Sequence, residues 1–119
     1  MKSLDGRGKD TCGGVDEFVS GNIFIRPNAL LAKGHVVHGH KHTFDHTTIV
    51  FMGSVHVKMI NEDGSVVEKD FKAPAHFLVK ANIEHEITAL EDNTTYWCVF
   101  SLRDSEGRVV QEFDGWHTY

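Results

Sequence analysis

Apolar and polar residues in this chain alternate with a period of two, in short runs separated by turn residues. Val55, Val57 and Met59 alternate with His56 and Lys58, the pattern of a half-buried strand. Asn61-Glu-Asp-Gly64 follows as a hairpin signal, and residues 65–71 read as the returning strand. Residues 22–26 are β-branched and aromatic and are expected to end at Pro27-Asn28. Residues 29–32 fit a strand or a single turn equally well. Further strands are expected over residues 47–51, 75–79, 83–89, 95–102 and 109–113, with a tight turn at Gly53-Ser54 and others at 91–93 and 104–107. Turn signals recur every ~8–12 residues and no stretch has a helical period, which predicts about eight or nine strands in an all-β sandwich or barrel.

Length and composition narrow this further. A chain of 119 residues, 40% hydrophobic and 24% charged, is one domain with an ordinary globular balance. Gly6, Gly8, Gly13 and Gly14 stand among polar residues, so residues 1–16 are expected to be a flexible arm and residues 17–119 a barrel with a C-terminal hairpin. The 12 basic residues are dispersed among 17 acidic ones, with no basic run to follow a phosphate backbone, so nucleic acid is not an expected partner. No apolar run approaches the roughly 20 residues of a membrane span, and the N-terminus has no apolar core of a secretory signal. The expectation is a cytoplasmic protein with no membrane partner, in which Cys12 and Cys98 are both reduced.

The candidate chemistry lies in residues 34–53, GHVVHGHKHTFDHTTIVFMG, which hold five of the nine histidines. On a strand, residues i and i+2 share a face, so His40 and His42 can aim two imidazoles at one point. His46 opens the next expected strand and can reach the same point from the side. His38 shares the parity of His40 and His42 on a regular strand, so it lies at the mouth of such a site or on the surface. Four residues after His40 stands Phe44, which cannot ligate; four after His42 stands His46.

The arrangement Gly34-x5-His40-x-His42-x3-His46-x6-Gly53 resembles the first sequence motif of the cupins, Gly-x5-His-x-His-x3,4-Glu-x6-Gly, with His46 in place of the glutamate. The second cupin motif, Gly-x5-Pro-x-Gly-x2-His-x3-Asn, keeps only its histidine, as His85. Its glycines fall on Pro74 and Asn82, its proline on Lys80 and its asparagine on Ala89. Asparagine tolerates the left-handed backbone that a turn glycine would supply. The resemblance covers about residues 22 to 102 and implies a single-domain jelly-roll barrel of antiparallel strands. It implies one metal ion held by His40, His42, His46 and His85, with His76 the competitor for the last place. His35, His56 and His117 read as ordinary residues.

Four neutral imidazoles suit a divalent transition metal, iron or nickel by preference and zinc or copper as alternatives. They leave its +2 charge uncompensated, so the expected partner is a small anionic molecule. Thr48 and Val50 share the parity of His46 and are expected to line the cavity, as are Tyr96 and Cys98 if their face of the strand points inward. Arg26 and Arg103 are candidate carboxylate partners, and Asp45, Glu84 and Glu86 candidate supports for the ligands, with an outward, solvated position expected for the two glutamates. The resemblance implies a dioxygenase-type enzyme, or an isomerase or lyase. A non-catalytic binding module with the same barrel is the alternative, and a metal-free epimerase-like protein a weaker one. Pairing through sheets in the resembled family and the apolar Val109, Val110, Phe113 and Trp116 lead us to expect a homodimer.

Overall fold

The structure, a computed structural model, describes residues 17–40, 44–103, 106 and 108, the side chain of His40 excepted. The expected arm, His42, Cys12, the strand at 109–113 with its hairpin, Trp116 and His117 lie outside the described residues. Nine strands follow one another: β1 Phe18–Ser20, β2 Ile23–Leu31, β3 Val36–His40, β4 His46–Met52 and β5 Ser54–Ile60. After them come β6 Val66–Lys72, β7 Ala75–Val79, β8 Glu84–Ala89 and β9 Thr94–Ser101. There is no helix among the described residues.

All pairings are antiparallel and form two sheets, of order β1-β2-β9-β4-β7 and β3-β8-β5-β6. The alternation in the sequence becomes the alternation of burial. Phe24, Arg26 and Asn28 on β2, His46, Thr48 and Val50 on β4, and Tyr96 and Cys98 on β9 point inward. Val55 and Val57 on β5 and His85, Ile87 and Ala89 on β8 face them from the other sheet. The core therefore lies between the sheets, closed at one end by Phe71 stacked on Phe77 at 4.5 Å.

Two sequence expectations change. Pro27 does not end its strand: β2 continues to Leu31 and pairs Pro27 with Trp97. The partner β1 reaches only Ile23 to Ile25 on the β2 side, so from Arg26 onward β2 is an edge, where proline is tolerated. The tight turn expected at Gly53-Ser54 is present, but it does not join two paired strands. β4 belongs to the five-stranded sheet and β5 to the four-stranded one, so Gly53, at φ +77°, is the corner at which the chain changes sheets. The hairpin at residues 61–64 is formed as expected, with Gly64 N–H donating to the Asn61 carbonyl at 2.9 Å.

Candidate metal centre

His46 opens β4 and His85 lies near the start of β8, one in each sheet. Both are buried, at 3% and 2% exposure, and their rings face each other across the interior with centroids 5.2 Å apart and planes at 56°. Two imidazoles bound to one ion at about 2.1 Å place their centroids roughly 4.5–5.5 Å apart. The observed separation falls in that range. The His85 Nδ1–H faces the Ile83 carbonyl at 3.4 Å, a long contact that favours the tautomer with the Nε2 lone pair free to ligate.

His40 stands opposite His85 in the β3–β8 ladder. A bulge between Val37 and His40 puts it there. Val37 pairs with Ile87 and His40 with His85, so β3 advances three residues while β8 advances two. Val37 is buried against the core and His38 is exposed, whereas a regular strand would have set His38 and His40 on one face. The bulge breaks the regular parity of β3, and His38 is exposed. Among the described residues no group of three potential ligands assembles. His46 and His85 come together, the His40 backbone lies beside them, and His42 is outside the description.

The second motif's departures find physical reasons. Asn82 has φ +65°, the left-handed backbone expected of it in place of glycine. Asp45 Oδ1 accepts the Ala81 N–H at 2.7 Å and so ties the β7–β8 loop to the start of β4. Glu84 and Glu86 face outward opposite Ile60 and Lys58, as expected for solvated residues. His76 is exposed on the outer face of β7, opposite Ile49, and cannot reach the His46–His85 pair.

The expected cavity residues Thr48, Val50, Tyr96 and Cys98 all point inward, which settles the direction of β9. Val50, Tyr96 and Cys98 belong to the packed core, and Thr48 Oγ1 lies 3.7 Å from Cys98 Sγ. The free thiol of Cys98 is buried. Of the two arginines, Arg26 is enclosed at 0% exposure and its Nη1 donates to Glu17 Oε1 at 3.0 Å. Arg103 lines a groove of about 390 Å³ with Asp45, His46, Phe100 and Ser101 at the rim of the barrel.

Sequence reasoning missed one feature by reading His56 as ordinary. On the outer face of the four-stranded sheet, His56 Nδ1–H donates to Asp70 at 2.6 Å and Nε2–H to Glu68 at 2.9 Å. Both bonds exist together only when the ring is protonated, and they raise its pKa above the ordinary 6.5, Glu68 first and Asp70 second. A raised folded-state pKa gives stability that is full below 6.5 and is lost as pH rises through the folded value. Proton NMR should find the His56 ring titrating above 6.5 and moving down toward it in Glu68→Gln; a midpoint below 6.5 in the wild type would refute the clamp.

No helix among the described residues is long and apolar enough to cross a membrane. No family model and no curated protein sequence matches the chain. Solved structures do resemble it. A variant of oxalate decarboxylase from Bacillus subtilis aligns with a TM-score of 0.66 over 83% of this chain and 31% of that chain, at 16% identity. Oxalate decarboxylase from Lactobacillus farciminis, as its formate complex, gives 0.65 over 77% and 32%, at 18% identity. Another Bacillus subtilis oxalate decarboxylase structure, concerned with its Mn(II) centres, gives 0.64 over 85% and 31%, at 19% identity. The chain thus spans about a third of the length of these proteins, whose covered shares are 31% and 32%. What they share with it is architecture: this chain has the all-β, cupin-like jelly-roll fold that its first motif leads one to expect.

Proposed function

We propose that this chain is a metal-binding jelly-roll protein in which His40, His42, His46 and His85 hold one divalent transition ion that takes a small anionic ligand. The observation that carries this reading is the pair of buried imidazoles, His46 and His85, 5.2 Å apart, with His40 at the ladder position opposite His85. A bound ion would supply Lewis acidity to a ligand oxygen, or a redox couple if it is iron. The protein's own part is to fix the imidazoles by strand pairing and to leave the ion's charge for an anion to balance. Arg103, in the groove that reaches His46, is placed to attract a carboxylate to that rim.

Iron or nickel suits an all-nitrogen donor set, with zinc and copper as alternatives. Manganese(II) is named for the Bacillus oxalate decarboxylase, whose chain is 19% identical to this one over the aligned part, and joins the metals to be tried. For catalysis the reading is a dioxygenase or an isomerase or lyase acting on an anionic substrate. A non-catalytic binding module in the cytoplasm is the second reading, favoured by the close packing of Thr48, Val50 and Tyr96 at 0% exposure in the interior.

The test uses protein purified without a histidine tag, stripped of metal and titrated with each ion. Wild type should bind one equivalent, and His42→Ala, His46→Ala and His85→Ala should each weaken binding by at least ~100-fold. His76→Ala should not change it. Full metal content in His42→Ala would overturn the ligand set. Oxygen uptake with iron(II) over small thiols, diketones and keto acids then separates enzyme from binding module.

A further inference from the structure

A buried ion pair closes one edge of the five-stranded sheet from inside. Phe18 pairs with Ile25, so Glu17, one residue earlier, stands beside Arg26, one residue later. Their side chains are 8% and 0% exposed, and Arg26 Nη1 donates to Glu17 Oε1 at 3.0 Å. The other carboxylate oxygen, Glu17 Oε2, is buried with no hydrogen-bond partner among the described residues. Buried polar atoms are rarely left so, because an unfilled acceptor costs its full desolvation. Arg26 also belongs to a row of inward residues: it pairs with Cys98, and Cys98 with Thr48, whose next inward neighbour along β4 is His46. The strand that follows Glu17 is lightly held. β1 is three residues long, has β2 as its one neighbour in the sheet, and joins it through the tight turn at Gly21-Asn22. Its outward anchor is Phe18, edge-on to Trp97 at 6.2 Å. Short edge elements open at a free energy well below that of global unfolding.

We infer that Arg26 is a binding site for a small carboxylate, that the Glu17 carboxylate fills this site when β1 is in place, and that β1 is a strap that lifts to admit the ligand. The ligand class follows from the occupant. A planar carboxylate matches the fork of a guanidinium and can accept two parallel N–H bonds from it. Glu17, held by its own backbone, engages Arg26 through one oxygen and leaves the other unused. A free carboxylate can turn its plane and use both. It must first displace the internal one, so its apparent affinity is the intrinsic affinity reduced by the fraction of chains with the strap open. At low ligand concentration Glu17 keeps the Arg26 site filled, and at high concentration the ligand replaces it and β1 comes away from β2. This reaches beyond the proposed function, because the site is the cation at Arg26 and needs no metal. Failure of the histidine site would leave it standing.

The test is acetate binding to the metal-free full chain, with acetate replacing chloride at constant ionic strength so that screening does not change. The Arg26 Nε–H signal in proton–nitrogen NMR, identified by its loss in Arg26→Lys, reports the site. Trp97 fluorescence in a Trp116→Phe background reports the strap through Phe18. Acetate should shift the Arg26 signal and change the Trp97 emission with a common midpoint. In Glu17→Gln the midpoint at Arg26 should fall at least ~10-fold, because the amide brings no charge to compete for the guanidinium. Equal midpoints with and without the Glu17→Gln change would overturn the inference, as would an Arg26 signal that acetate moves in neither. A shift at Arg26 with unchanged Trp97 emission would refute the strap. If Glu17→Gln does not fold alone, acetate should restore its circular dichroism where chloride does not, and a chain still unfolded in acetate would refute the site.

Discussion

Replacing Gly53 by alanine should cost about 3–5 kcal/mol, against about 1 kcal/mol for the same change at Gly64. Both glycines have positive φ, +77° and +87°, so both substitutions carry the backbone penalty of a left-handed residue. Only at Gly53 is there also a collision. A Cβ there would overlap Thr94 Oγ1 and lie 2.9 Å from Thr94 Cα, while at Gly64 it would meet nothing within 4 Å. Thr94 cannot yield easily. It is fully buried, and its hydroxyl faces the carbonyls of Glu91 at 2.8 Å and Ser54 at 3.3 Å, which hold the β8–β9 turn against the start of β5. Urea unfolding of the two variants should show the difference as unequal midpoint shifts with similar slopes. Equal shifts would mean that the corner relaxes and that close approach is not why glycine stands there.

The second large effect is expected at Arg26. Arg26→Met should cost about 3–5 kcal/mol, because it leaves the Glu17 carboxylate buried without its cation. The pair is one hydrogen bond of 3.0 Å between side chains 0% and 8% exposed, and the second oxygen, Glu17 Oε2, is buried with no hydrogen-bond partner among the described residues. Glu17→Gln removes the buried charge from the other side. The double variant Arg26→Met/Glu17→Leu replaces both charges by apolar groups and should recover most of the loss. A double-mutant cycle on unfolding free energies measures the coupling, expected to be about 2–3 kcal/mol in favour of the pair. Additive losses would show that Arg26 is held by its other contacts and that Glu17 is incidental.

These two sites mark how far the sequence could be read. The motif spacing picks out Gly53 as a glycine but gives no reason for it; the reason is Thr94, 41 residues later in the chain. Arg26 and Glu17 are nine residues apart and are brought together only by the short β1–β2 pairing. Period-two alternation, by contrast, is a local property of each strand. Together with turn signals and short apolar runs, it announced β5, the hairpin to β6, β7, β8 and β9 before any partner was known. Where local rules misled, a neighbour was the cause. Proline stops a strand flanked on both sides, and β2 is not so flanked at Pro27. His56 looked ordinary because its two carboxylates come from the facing strand.

By itself, then, the sequence determined that the chain is all-β, where most strands and turns fall, and which histidines have ligand spacing, because all of these are carried by near neighbours and by alternation along one strand. The tertiary structure decided the rest. It assigned β4 and β5 to different sheets, set His85 rather than His76 against His46, and put a one-residue bulge into β3 between Val37 and His40. It also left one sheet face charged and the other bare, since the side a residue faces depends on which strands lie next to its own.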